Sequence, residues 1–239
     1  MESDKKALIY VIEDHQVIAN GVKQYLEFSD LDCDVFYNLE SARKAFEEKL
    51  PDLLLQDVML PDGDGFSFVK EIRAKYNFPV IFMTARAEES DRILGFEIGA
   101  DDYITKPFSP KELVLRVQAV IRRTKQATPL TTQDISNYYK DDFFLYVDRN
   151  AHSLKIDDGE VILTAAEWRV LLCLIDNSHL LVARTKILDE CFNYSSESYE
   201  RIVDTHIKNI RAKLLKGNWI ETVRGYGYRF VGVENNDTH

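Results

Sequence analysis

Three short apolar runs and a fourth strand-like segment, each leading to a residue that can do chemistry, constrain this 239-residue chain more than anything else in it. Leu8-Ile9-Tyr10-Val11-Ile12 ends on Glu13-Asp14, and Leu53-Leu54-Leu55 leads through Gln56 to Asp57. Val80-Ile81-Phe82-Met83 ends on Thr84, and Asp102-Tyr103-Ile104 precedes Lys106-Pro107. Short continuous apolar runs read as strands buried on both faces. Stretches of helical period separate them, so the pattern predicts a parallel sheet with helices on both sides, with strands near 7–12, 33–37, 52–57, 79–83 and 102–104. In an open sheet of this kind the C-terminal strand ends share one edge, and ligands bind there. Carboxylates, a hydroxyl and an ammonium converging on that edge suit phosphoryl chemistry with a divalent metal.

The length favours two domains. After Arg123 the chain turns polar and aperiodic, through Thr124-Lys125-Gln126-Ala127-Thr128-Pro129, which reads as a linker. We expect one domain over 1–123, the linker over 124–139, a second domain over 140–233 and a tail over 234–239. In the second domain short alternating strands come first, with a turn at Asp157-Asp158-Gly159. Thr164-Ala165-Ala166-Glu167 then announces a helix through a capping box, and Ser109-Pro110-Lys111-Glu112 has the same form in the first domain. Helices are expected near 184–192 and 198–215, followed by a hairpin over Trp219–Phe230. No segment reaches the roughly 18 apolar residues of a membrane span. Three scattered cysteines, Cys33, Cys173 and Cys191, read as reduced core filler in a cytoplasmic protein.

Taken together, Glu13-Asp14, Asp57 within Gln56-Asp57-Val58-Met59-Leu60-Pro61, Thr84-Ala85, Tyr103 and Lys106-Pro107 resemble the receiver domain of two-component response regulators. The resemblance implies a flavodoxin-like doubly wound sheet of five parallel strands. It implies that Asp57 takes a phosphoryl group from a sensor histidine kinase. It also implies Mg²⁺ held by Asp14, Asp57 and the Met59 carbonyl, with Glu13 acting through water. Thr84 would then bond the phosphoryl oxygen, Lys106 would offset its charge, Tyr103 would turn inward as the readout, and the Lys106-Pro107 peptide would be cis. Gln56 departs from the apolar residue usual before the phosphoacceptor, and buried unpaired it should cost stability. Arg92, Glu97, Asp101, Asp102, Lys111, Glu112, Arg116 and Arg123 fall where the OmpR/PhoB branch builds a symmetric dimer, although Gln118 stands where that branch has a base.

The second half is similar to the α+β winged-helix effector of that branch, on Leu163-Thr164-Ala165-Ala166-Glu167, Val203-Asp204-Thr205-His206-Ile207 and Thr222-Val223-Arg224-Gly225-Tyr226-Gly227-Tyr228. The net charge of −10 does not exclude DNA, because Arg201 to Arg229 holds seven basic residues against Asp204 and Glu221. Val203, Ile207, Ile210 and Leu214 form one buried stripe of the recognition helix. Off that stripe, Arg201, Thr205, His206, Lys208, Asn209 and Arg211 are candidate DNA contacts, with Thr222, Arg224, Gly225 and Tyr228 on the wing. Asn209 replaces an arginine common in the branch, and asparagine suits adenine where arginine suits guanine.

The sequence therefore predicts a cytoplasmic DNA-binding response regulator and not an enzyme. Its partners would be a histidine kinase, double-stranded DNA at direct repeats about 10 bp apart, a second copy of itself and RNA polymerase, with no membrane. A phosphohydrolase of the haloacid-dehalogenase type needs a second aspartate two residues after the nucleophile, where this chain has Met59. A regulator that works unphosphorylated, or a wing that contacts protein, is the remaining alternative.

Overall fold

A computed structural model describes residues 6–85, 94–125, 135–192 and 200–235. The chain divides into two compact units, Met1–Lys125 and Gln126–His239.

The first unit is built on five parallel strands, β1 (Leu8–Ile12), β2 (Asp32–Phe36), β3 (Leu53–Asp57), β4 (Val80–Thr84) and β5 (Asp102–Thr105). They pair in the order β2-β1-β3-β4-β5. Every residue of β1, β3 and β4 is buried, as central strands covered on both faces must be. Ile9, Val11, Leu53, Leu55, Ile81 and Met83 pack with Val22 and Leu26 of α1 (Gln16–Phe28) and with Leu113, Val117 and Val120 of the Pro110–Lys125 helix. The opposite face is aromatic, where Tyr10, Phe46, Phe68 and Phe78 pack edge-on or tilted at 5.1–6.1 Å between ring centres.

Local signals start the helices. Asn38 caps α2 (Leu39–Glu48) by accepting from Ser41 N at 2.8 Å, and Asp64 caps α3 (Gly65–Arg73) by accepting from Ser67 N at 2.8 Å. The box expected at Ser109–Glu112 is used differently. The helix does begin at Pro110, but the Glu112 carboxylate accepts from Arg116 at 2.9 Å.

The second unit opens with antiparallel strands Ile135–Lys140, Phe143–Asp148, Ser153–Ile156 and Gly159–Glu160, with Val233–Glu234 returning to pair beside the first. All but the last residue of the Ile135–Lys140 strand lies inside the stretch expected to be linker, because its buried positions are Ser136 and Tyr138 and its one aliphatic residue, Ile135, is exposed. The Ala165–Asp176 helix starts on the predicted capping box. Thr164 N donates to Glu167 at 2.7 Å and Glu167 N donates to Thr164 Oγ1 at 3.3 Å. Helices Arg184–Phe192 and Glu200–Leu214 follow, then the Ile220–Val223 and Gly227–Phe230 hairpin. No described helix is long and apolar enough to cross a membrane. All three cysteines are buried free thiols.

Candidate functional site

The topology delivers Glu13, Asp57, Thr84 and Lys106 to one edge of the sheet, just past β1, at the end of β3, at the end of β4 and just past β5. Carboxylate oxygens of Glu13, Asp14 and Asp57 lie within 4.8 Å of one another. Lys106 Nζ donates to Asp57 Oδ2 at 2.7 Å and to Glu13 Oε2 at 2.5 Å, so one ammonium holds two buried acids together. The other oxygen of Asp57, Oδ1, accepts from Met59 N at 3.3 Å. The Lys106-Pro107 peptide is cis, and Lys106 N donates to Thr84 O at 2.7 Å.

Burial pushes Glu13 above its ordinary value, the Lys106 bond pulls it back, and the charge of Asp57 pushes it up again. For Lys106 burial acts downward, but the bonds to Asp57 and Glu13 outweigh it and hold the ammonium above its usual value. Glu13 Oε1 is buried with no hydrogen-bond partner. An acceptor with a spare lone pair, beside two further carboxylates, fits a hydrated hard cation.

The strand end is also shaped from behind. Gln56 is fully buried, where its Nε2 donates to Asp57 O at 2.7 Å while Oε1 has no partner. The expected cost of that polar side chain is thus half met. A Cβ on Gly65 would stand 2.1 Å from Asp57 O, so only glycine lets α3 start this close to Asp57. Asp62 accepts from Leu39 N at 2.8 Å and Glu40 N at 3.2 Å, tying the loop after Asp57 to the start of α2. Sequence marks Pro61-Asp62-Gly63-Asp64-Gly65 only as a turn, and the Asp62 tie is invisible there because its partners lie 23 and 22 positions away. Tyr103 is buried, its ring 6.5 Å from Phe82 and packed against Gly95.

In the second unit the Glu200–Leu214 helix buries Val203, Ile207, Ile210 and Leu214 as its period predicts. It also buries Thr205 and His206, which were expected on the outer face. The His206 ring stacks on Phe192 at 5.1 Å and 17°, which removes it from any groove contact. Tyr228 is buried too, and burial followed by the adjacent Asp204 pushes its phenol up to about 12. Arg211 donates to Ile220 O at 2.7 Å and to Thr222 Oγ1 at 2.9 Å, so it braces the wing. Arg201, Lys208, Arg224 and Gly225 remain exposed, and Asn209 is half-buried.

Residues 9–118 match the response regulator receiver domain, and 158–230 match the C-terminal domain of transcriptional regulatory proteins. The transcriptional regulatory protein ResD of Bacillus subtilis is 37% identical over 98% of this chain and 100% of its own length. The chain belongs to the OmpR/PhoB family of response regulators. It is a two-component, DNA-binding transcription regulator, not an enzyme. SrrA of Staphylococcus aureus is 36% identical over 96% of this chain and 97% of its own. The crystal structure of DrrB, an OmpR/PhoB homologue from Thermotoga maritima, matches at TM-score 0.51 and 29% identity over 95% of this chain and 100% of that one. A RitR mutant at 24% identity shares the fold at TM-score 0.73, over 94% and 98%.

Of the dimer-surface residues expected in this regulator, Glu97, Lys111 and Glu112 are exposed. Arg116 is half-buried and donates to both Asp102 oxygens at 3.1 Å within its own chain. Asp101 is a correction. Its carboxylate is buried on Arg73, at 3.1 Å, and on Val80 N, at 2.9 Å, so it closes the receiver core and is not presented to a second copy. Arg92 and the side chain of Arg123 lie outside the described residues.

Proposed function

We propose that this response regulator accepts a phosphoryl group on Asp57 from the phosphohistidine of a sensor histidine kinase, and that the modification raises its affinity for promoter DNA. One observation carries the reading. Glu13, Asp14 and Asp57 present oxygens within 4.8 Å, with Lys106 already bonded to two of the three acids. The donor set and the orphan Glu13 Oε1 suit Mg²⁺ held by Asp14, Asp57 and the Met59 carbonyl, with Glu13 acting through water. Bound there, the ion would offset the charge of the carboxylates and of the incoming phosphoryl oxygens.

In the transfer the Asp57 carboxylate attacks phosphorus and the P–N bond to the kinase histidine breaks. The imidazole keeps the bonding pair and takes a proton, leaving an acyl phosphate on Asp57. Lys106 neutralises part of the new charge, and the Thr84 hydroxyl donates to a phosphoryl oxygen. That bond exists only in the modified protein, which gives the two states the energy difference a switch requires. Tyr103, packed on Phe82 two strands from Gln56, reads the movement. Exposed Met59 beside the site slows attack by water and sets an acyl phosphate lifetime of minutes or longer.

Phosphorylation favours a symmetric dimer through Arg92, Glu97, Lys111, Glu112, Arg116 and Arg123, with buried Asp102 holding Arg116 in place and exposed Leu94 and Leu115 near Glu97 and Arg116 in sequence. Two joined winged helices then engage direct repeats about 10 bp apart at a raised effective concentration. Arg201, Lys208, Asn209 and Arg224 supply groove or phosphate contacts. The regulator works in the cytoplasm, with RNA polymerase as the further partner.

Intact mass after incubation with acetyl phosphate and Mg²⁺ tests the chemistry. One added phosphoryl group on the wild type and none on Asp57→Asn is expected. An adduct on Asp57→Asn overturns the reading, as does a wild type that takes no group from either acetyl phosphate or a phosphohistidine donor.

A further inference from the structure

On the DNA-binding unit, one acidic side chain sits where electrostatics alone would not put it. Asp204 projects from the basic recognition helix, and its Oδ1 accepts from Arg184 Nε at 2.6 Å and from the Tyr228 hydroxyl at 2.5 Å. Those three residues come from three elements: the start of the Arg184–Phe192 helix, the Glu200–Leu214 helix and the second wing strand. Arg184 closes the triangle by donating to the Tyr228 oxygen at 3.3 Å, with its guanidinium 4.8 Å from the centre of the tyrosine ring. On the recognition helix Arg211 also approaches that ring, at 5.7 Å, while bonding Thr222 across the hairpin. The wing's backbone is fixed at the same point, since a Cβ on Gly227 would stand 2.1 Å from Val182 O.

We infer that Asp204 is a positioning residue for DNA binding, and that it sets the angle of the wing against the recognition helix through Tyr228 and Arg184. The inference rests on the DNA-binding reading and adds a role to residues that touch no DNA in it. A charged acceptor shared by a phenol and a guanidinium fixes both more firmly than neutral bonds do. A wing held at one angle loses less freedom when it meets the minor groove, so part of the affinity is set before contact.

The sign of the effect makes the inference testable. Removing an acid from a DNA-facing helix should tighten binding by reducing repulsion of phosphate. A positioning role predicts the reverse. The probe is a duplex selected by the wild-type protein from a random-sequence pool, titrated across a salt series, with folding checked by thermal unfolding. Asp204→Ala should weaken binding by about tenfold, the order of one charge-assisted hydrogen bond, with an unchanged salt slope. Asp204→Asn, which keeps an acceptor for the phenol, should recover part of the loss. Glu221→Gln, an exposed acid on the first wing strand, should bind as tightly as wild type or tighter.

Tyr228→Phe separates positioning from direct contact without removing the ring. It should weaken binding in the wild type and add nothing in the Asp204→Ala background, the non-additivity expected of one shared bond. Tighter or unchanged binding by folded Asp204→Ala overturns the inference, as does a fully additive Tyr228→Phe effect. A wild type that selects no duplex and shows no salt-dependent binding would instead overturn the DNA-binding reading itself.

Discussion

The Asp57 edge of the receiver and the DNA-facing side of the winged helix are both polar surfaces on apolar scaffolds, but they expose their chemistry by different rules. In the receiver each functional side chain stands at or just past the end of a buried strand, and a parallel sheet has no way to send those ends to different edges. In the winged helix the polar residues sit along one helix and a hairpin, where a side chain can turn outward or be taken up internally. Of those expected outside, Thr205, His206 and Tyr228 are buried, and Arg211 is spent on the wing. Topology assigns a strand-end site. A helix face is assigned only once the packing is known.

Breaking the strand-end arrangement should have the largest effect. Lys106→Ala leaves Glu13 and Asp57 buried side by side without their cation, so unfolding in urea without Mg²⁺ should show a loss of about 3 kcal/mol. A loss under 1 kcal/mol would mean that the two acids are not held as described. His206→Ala comes next, at about 2 kcal/mol from the lost packing on Phe192, with the salt slope of DNA binding unchanged in the folded fraction. A fallen slope would return His206 to the groove. Arg224→Ala should do the opposite, leaving stability within about 0.5 kcal/mol. Its DNA affinity should drop and its salt slope should fall by roughly one unit.

The smallest effect concerns pH. The folded Tyr228 phenol is raised from 10.0 to about 12, by burial first and Asp204 second. A group raised on folding contributes stability that is complete below its unfolded value and lost as pH climbs through the folded one. The winged-helix unit should therefore weaken between pH 10 and 12, and the late part of the phenolate absorbance titration should shrink in Tyr228→Phe.

Much of the fold was legible because two signals agreed. Unbroken apolar runs marked the central strands to within a residue, and the Thr164–Glu167 capping box marked a helix start. The linker estimate ran too long because the Ile135–Lys140 strand buries a serine and a tyrosine, Ser136 and Tyr138, while its one aliphatic residue, Ile135, is exposed, so no apolar run marks it. Asp101 and Asp102 are neighbours of one type, and only the strand's alternation sends the first to Arg73 and the second to Arg116. The brace at Asp204 joins residues up to 44 positions apart, which no local pattern can show.

The central claim is that phosphorylation of Asp57 in one unit changes DNA affinity in the other. Its most direct test is binding of a selected duplex by wild type and Asp57→Asn, each with and without acetyl phosphate and Mg²⁺. The account predicts tighter binding on phosphorylation of the wild type and no response from Asp57→Asn. Equal affinity of phosphorylated and unphosphorylated wild type, at full modification by mass, would contradict it.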